Sequence, residues 1–150
     1  MAWFNYSLSR SPLYSIKIDS KFCTLTLYKN GVSIKRYRVA VGKPSTPTPK
    51  GKYYIIDKVI NPGGPFGARW LGLNKRGYGI HGTNNPSSIG KKVSNGCIRM
   101  YNPDVIELSS IVPIGTPVII VWIFSHFYLQ RVILNSNLFI FFVLHIVLEA

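Results

Sequence analysis

The chain has 150 residues, of which 47% are hydrophobic and 13% aromatic, and this composition excludes a disordered tail and allows one domain with a substantial core. Lys and Arg number 18 against 5 Asp and Glu, and the formal net charge of +13 favours anionic partners such as nucleic acid, an anionic membrane or an acidic wall polymer. The basic residues are scattered, and the chain has neither zinc-finger spacing nor an RNA-recognition aromatic motif, so we expect no nucleic-acid-binding module.

Apolar and polar residues alternate along the first third of the chain, as they do in strands with one buried face. After an irregular N-terminus over residues 1–13, one strand is expected from Tyr14, and two more in FCTLTLYKNG and VSIKRYRVAVG. The Asn-Gly pair between the last two predicts a tight hairpin turn, because such a turn requires positive φ. Cys23 lies within the alternation and is predicted to belong to the core.

Proline and glycine divide the rest of the domain into short elements. KPSTPTPKG is predicted to be a loop, KYYIIDKVI a strand, and NPGGPFGARWLGLNKRG a second loop anchored by Trp70 and Leu71. YGIHG is predicted to be a short strand ending at His81, NPDVIELSSIV a helix with an Asn-Pro cap signal, and PIGTPVIIV a closing strand. Many short strands and one helix predict a mostly-β single domain, either a sandwich or a barrel.

The last segment, residues 122–150, differs in composition from the rest. It contains one Arg and one Glu, so all of the net charge lies in residues 1–121. Its strongest apolar run, Leu138–Leu148, is shorter than the ~20 residues that a spanning helix needs. Three alternatives stay open: a helix that contacts a membrane, a helix packed on the domain, or an extension foreign to it, such as a frameshifted terminus. His126 and His145 belong to this apolar context, and no metal role is expected of them.

Cys97 is flanked by glycine and polar residues, whereas a cysteine used only for packing belongs among apolar neighbours. A free thiol has a pKa of about 8.5, and the imidazole of His81 could take its proton to leave a nucleophilic thiolate. Gly96 lets the backbone approach a substrate closely and donate N–H groups to a developing oxyanion. Arg99 could hold a substrate carboxylate through its fork of donors.

The imidazole also needs a group that orients it, and residues 58–103 contain no Asp or Glu. A backbone carbonyl is the natural substitute, and that of Gly82 is the nearest in sequence. Two alternatives stay open at this point. His81 and Cys97 could be unrelated, one on the surface and one buried. A single disulfide could also join Cys23 to Cys97, although two cysteines are too few for a disulfide framework.

The stretch HGTNNPSSIGKKVSNGCIRM resembles the signature of the L,D-transpeptidase catalytic domain family, the YkuD-like proteins, which is His-Gly, a loop and then Ser-x-Gly-Cys-x-Arg. The matching positions are His81, Gly82, Ser94, Gly96, Cys97 and Arg99. VGKPSTPTPKGKYYI with its Thr-Pro-x-Gly element, GYGIHG and NPDVIELSSIVPIGTPVIIV also match, so the resemblance covers residues 14–121. Many members carry His where this chain has Asn95, and this departure leaves the base function to His81.

The resemblance implies a β-sandwich-like fold with one short helix after the Cys motif. It implies Cys97 as nucleophile, His81 as base and the Gly82 carbonyl as the group that orients the imidazole. Backbone N–H groups of Asn95, Gly96 and Cys97 would form the oxyanion hole. The residues expected to bind substrate or border the cleft are Arg99, Ser94, Tyr78 and Trp70, of which the last two could equally belong to the core.

The implied activity is that of a peptidoglycan L,D-transpeptidase, which forms 3→3 cross-links through a thioester and contributes to cell wall organisation and cell shape. Water in place of the amine would give a hydrolase, an L,D-carboxypeptidase. No cofactor is implied, and the expected partners are peptidoglycan stem peptides, anionic wall polymers and a carbapenem as covalent inhibitor. The expected location is the wall side of the membrane or a spore envelope, although residues 1–20 show no standard secretory signal. A catalytically weak wall-binding module and a basic nucleic-acid binder are the alternatives.

Overall fold

A computed structural model describes residues 12–121. The apolar tail over 122–150, with its predicted alternatives, and most of the predicted irregular N-terminus lie outside the described residues. No helix within residues 12–121 is long and apolar enough to cross a membrane. This part of the chain forms one α-helix, α1 (Asn102–Ile111), and ten strands, β1 (Tyr14–Asp19), β2 (Thr24–Lys29), β3 (Val32–Arg38), β4 (Val41–Gly42), β5 (Gly51–Ile60), β6 (Arg69–Leu73), β7 (Gly79–His81), β8 (Lys92–Ser94), β9 (Ile98–Arg99) and β10 (Pro117–Val121).

Eight strands form one sheet in the order β3-β2-β1-β10-β5-β6-β7-β9, while β4 and β8 pair separately. Neighbours in the sheet are antiparallel except for two parallel pairs, β1 with β10 and β7 with β9. Parallel strands cannot be joined by a tight turn, so each pair needs a longer connection. The predicted mostly-β fold with one helix after the Cys motif is confirmed.

The core forms on the inner face of this sheet, where the predicted alternation is confirmed. Ile16 and Ile18 of β1 and Leu25 and Leu27 of β2 are each at most 1% exposed. Burial of a side chain of this size contributes about 1.5–3 kcal/mol relative to leaving it exposed. Cys23 belongs to the same core, as predicted.

Both cysteines are free thiols, Cys23 buried and Cys97 half-buried. The disulfide that the sequence left open is therefore not formed. The Asn-Gly hairpin is confirmed, since Asn30 and Gly31 have φ of 50° and 79°.

The prediction of a loop over residues 61–77 was wrong in part, because this stretch contains β6. The glycines and prolines that dominate it lie mainly before Arg69, while the following residues pair with β5 on one side and β7 on the other. A central strand that pairs on both sides is held by those neighbours and needs no local alternation of its own. The short strands β8 and β9, next to the Cys motif, were also missed, because two or three residues are too few to show alternation.

Helix α1 packs against the sheet and contacts strands that are not neighbours in it. Val105 and Leu108 are fully buried in the core. On the other face, Glu107 forms a salt bridge with Lys35 of β3 and accepts a hydrogen bond from the Tyr37 hydroxyl at 3.2 Å. The helix begins as predicted, with Pro103 in its first turn, but Tyr101 occupies the N-cap position and no side chain caps it.

The other end of α1 is held by one lysine. Lys58 Nζ of β5 donates to the carbonyls of Ser109 at 2.6 Å and Val112 at 2.9 Å. A cation there donates hydrogen bonds to carbonyls that have no partner within the helix. It also complements the negative end of the helix dipole.

Lys58→Met keeps the aliphatic stem and removes the charge. We expect it to lower the free energy of unfolding by about 1–2 kcal/mol, because two carbonyls lose a charged donor. Lys52→Met on the same strand is the matched control and should change it by less than about 0.5 kcal/mol. Urea unfolding of both variants measures this, and equal midpoints would contradict the role of Lys58.

Candidate active site

The fold places His81 at the end of one strand and Cys97 directly before the neighbouring strand. β7 ends at His81, and β9 begins one residue after Cys97. The two strands are parallel, with Ile80 opposite Ile98, and the Met100 N–H donates to the His81 carbonyl at 2.8 Å. Adjacent strands lie ~4.8 Å apart, so the pairing places the imidazole-bearing residue close to the thiol-bearing loop.

The His81 ring is packed between two aromatic side chains and is 3% exposed. Trp70 of β6 stacks on it at a centroid distance of 5.7 Å, and Phe66 meets it edge-on at 5.1 Å. Gly79 makes room for this packing, since a Cβ there would lie 2.6 Å from the Trp70 ring. Trp70, which was predicted either to border the cleft or to belong to the core, thus contacts the histidine ring.

One hydrogen bond fixes the imidazole in this packing. Its Nδ1 lies 2.6 Å from the Gly82 carbonyl oxygen. A carbonyl can only accept, so Nδ1 carries the proton and Nε2 keeps its lone pair in the neutral ring. This is the geometry predicted for Gly82 as the orienting group.

Burial lowers the pKa of His81 from 6.5 to about 4, and the positive charge of Arg99 acts in the same direction, against the hydrogen bond to Gly82. The imidazole is therefore neutral at pH 7. A neutral imidazole with a free Nε2 can accept a proton.

Cys97 is in the protonated form that such a base would act on. Burial raises the pKa of its thiol, while the Gly79 backbone and the Arg99 charge oppose that rise. Its Sγ donates a weak hydrogen bond to the Gly77 carbonyl at 3.5 Å. The half-buried Arg99 thus acts electrostatically on both His81 and Cys97.

A tight turn shapes the backbone just before the thiol. The Ser94 hydroxyl donates to the Cys97 carbonyl at 2.6 Å and accepts from the Gly96 N–H at 3.0 Å. Gly96 has a φ of 115°, and a Cβ on it would lie 2.6 Å from the half-buried Tyr78 ring. Only glycine fits this position.

These contacts change two of the predicted roles. Ser94 is 1% exposed, so it holds the turn and is not placed to touch a substrate. Of the three N–H groups predicted for the oxyanion hole, that of Gly96 already donates to Ser94. The predicted hole therefore depends on the N–H groups of Asn95 and Cys97.

Sequence reasoning missed Phe66, which forms one wall of the histidine pocket. The only signal was a large aromatic residue isolated among glycines and prolines in GGPFG, which reads equally well as a loop anchor. Within residues 12–121, no group of His, Cys, Asp and Glu side chains is arranged to hold a metal ion.

The family model of the L,D-transpeptidase catalytic domain (YkuD) matches residues 13–120. This chain belongs to that family. Similar proteins include YkuD of Bacillus subtilis strain 168, whose name places it among the L,D-transpeptidases. It is 62% identical over 107 residues, which make up 71% of this chain and 65% of YkuD. The chain thus spans less than two thirds of that relative.

Solved structures of this family have the same fold. The catalytic domain of the L,D-transpeptidase from E. faecium matches with a TM-score of 0.63 and 27% identity, covering 71% of this chain and 95% of that one. The Ldtfm–avibactam carbamoyl enzyme matches with a TM-score of 0.66 and 29% identity, covering 77% of this chain and 51% of that one.

The buried histidine predicts a specific acid sensitivity. Because His81 titrates near 4 when folded and near 6.5 when unfolded, the unfolded state binds more protons between these values. Stability should therefore fall as pH drops from about 6.5 to about 4, by on the order of 3 kcal/mol. His81→Gln should remove this component, because it replaces the titrating ring with a side chain that does not ionise. Urea unfolding at intervals of pH measures it, and parallel stability curves would refute the depressed pKa.

Proposed function

We propose that this protein is a cysteine L,D-transpeptidase that acts on peptidoglycan stem peptides. The observation that carries the proposal is the neutral imidazole of His81, oriented by the Gly82 carbonyl and set beside the strand that follows Cys97. Membership of the family supports an acyl transfer on peptidoglycan. The geometry supports a thiol as nucleophile and a histidine as its base.

In the first step, Cys97 Sγ attacks the carbonyl that joins the third stem residue to the terminal D-alanine. His81 Nε2 takes the thiol proton, and the carbonyl oxygen gains the negative charge, which the N–H groups of Asn95 and Cys97 stabilise. The carbon–nitrogen bond then breaks, the amine of D-alanine leaves with the proton from His81, and a thioester remains.

In the second step, a side-chain amine of a neighbouring stem attacks the thioester carbonyl. His81 removes a proton from the amine and returns it to the thiolate, which leaves as the free thiol. The product is a 3→3 cross-link, which would support cell wall organisation and cell shape. Water in place of the amine gives the L,D-carboxypeptidase reaction.

Charge supports the choice of substrate and partners. Arg99 is next to both reacting groups and could bind a stem-peptide carboxylate through two parallel hydrogen bonds. The net charge of +13 would draw the protein to anionic wall polymers. We place the site of action on the wall side of the membrane, where stem peptides occur, or in a spore envelope.

A carbapenem is the inhibitor that this chemistry favours. Attack of Cys97 on its strained carbonyl forms a thioester and breaks the lactam carbon–nitrogen bond, and the nitrogen takes the proton from His81 and stays attached to the acyl group. A relative with the same fold is described as a carbamoyl enzyme formed with avibactam. We propose that Cys97 is the residue that a carbapenem acylates in this protein.

Incubation with a disaccharide-tetrapeptide tests the proposal by the release of D-alanine and the appearance of a cross-linked dimer. The wild type should give both products, Cys97→Ala should be inert, and His81→Ala should be slower by about 10²–10⁴-fold, the usual contribution of a general base. Full activity in either variant contradicts the mechanism. A folded wild type that binds peptidoglycan but releases no D-alanine would favour the wall-binding module instead.

A further inference from the structure

The first residue of α1 has a side chain that serves two other segments of the chain. Asn102 Oδ1 accepts the N–H of Ala68 at 3.0 Å and the N–H of Thr83 at 3.1 Å. Ala68 comes directly before β6, and Thr83 comes two residues after β7 ends. One amide oxygen therefore joins the start of the helix to the segments on either side of the histidine pocket.

The backbone is shaped around this oxygen. A Cβ on Gly67 or on Gly82 would lie 2.2 Å from Asn102 Oδ1, so both positions must be glycine for the two segments to reach it. Each glycine directly precedes the residue whose N–H binds Asn102. Such close approach from two sides indicates a fixed side chain and not an exposed polar residue that happens to find partners.

The two segments held by Asn102 are the ones that fix the His81 ring. Thr83 follows Gly82, whose carbonyl oxygen accepts a hydrogen bond from His81 Nδ1–H, with 2.6 Å between nitrogen and oxygen. Ala68 lies two residues before Trp70, which stacks on the imidazole. The Gly82 N–H also donates to the Arg69 carbonyl at 3.0 Å, which ties the two segments directly to each other.

We propose that Asn102 is a positioning residue that sets the orientation of His81 by holding both the Gly82 carbonyl and the strand that carries Trp70. This inference rests on the proposed function, because the orientation of His81 matters for catalysis only if His81 takes the proton of the Cys97 thiol. The hydrogen bonds of Asn102 Oδ1 go to backbone N–H groups, and neither involves Cys97 or the His81 ring. Loss of Asn102 should therefore slow chemistry through His81, with little effect on substrate binding.

Two substitutions separate positioning from simple stability. Asn102→Ala removes the acceptor, whereas Asn102→Asp keeps an oxygen of the same reach for both N–H groups. Lys58→Met is the control, because it removes two hydrogen bonds at the other end of the same helix without touching the histidine pocket.

The test measures D-alanine release from the disaccharide-tetrapeptide by the full chain. We expect Asn102→Ala to lower kcat by about 10–100-fold with KM changed by less than about threefold, since small misplacements of a catalytic group have effects of this size. Asn102→Asp should recover kcat to within about threefold of the wild type, and Lys58→Met should keep wild-type kcat despite its lower stability. Wild-type kcat in Asn102→Ala, or equal losses in the Ala and Asp variants, would overturn the proposal.

A failure of the proposed function gives a different result, namely no D-alanine from the wild type. Positioning is then measured by the NMR signal of the His81 Nδ1 proton. Asn102→Ala must weaken or shift that signal, while Asn102→Asp and Lys58→Met must keep it. An unchanged signal in Asn102→Ala overturns the inference independently of activity.

Discussion

The burial of one imidazole ring constrains the rest of the site. Packed against Phe66 and Trp70 and close to the charge of Arg99, the His81 ring is neutral at pH 7 and does not take up a second proton. The same burial leaves the Cys97 thiol protonated, so a stable thiolate–imidazolium pair is disfavoured in the resting protein. In the proposed mechanism the thiolate then forms as substrate binds, when negative charge developing on the substrate oxygen favours a positive imidazole nearby.

A short strand pairing, a tight turn and close contacts at glycines place the groups of this site. A parallel pairing of only two residues, β7 with β9, brings the histidine to the cysteine, and the connection between them is long enough to include the Ser94 turn. Glycines allow the close contacts, at Gly79 against Trp70 and at Gly96 against Tyr78. Helix α1, joined to β3 and β5 by charged side chains, closes the sheet behind this cluster.

The sequence predicted the features that depend on local patterns. Alternation located β1 and β2, and Asn-Gly located the hairpin. The candidate site from His81 to Arg99 came from the family resemblance and stays a prediction. The sequence could not predict β6, which lacks alternation and follows a stretch rich in glycine and proline, or β9, which at two residues is too short to show alternation. It also missed Phe66 and misassigned Ser94, because their roles depend on which groups the fold packs beside them. Asn95 cannot act as a base, and the assignment of that role to His81 stays a prediction.

The most direct test of this account is the pH dependence of Cys97 alkylation by iodoacetamide, followed by mass spectrometry so that the buried Cys23 is scored separately. A resting pair of neutral groups predicts that the rate rises only toward alkaline pH, in step with ionisation of a thiol whose pKa lies above its usual value. His81→Gln should then have little effect on the alkylation rate. A fast rate that stays constant down to about pH 5, and that His81→Gln abolishes, would reveal a preformed thiolate–imidazolium pair and contradict the account.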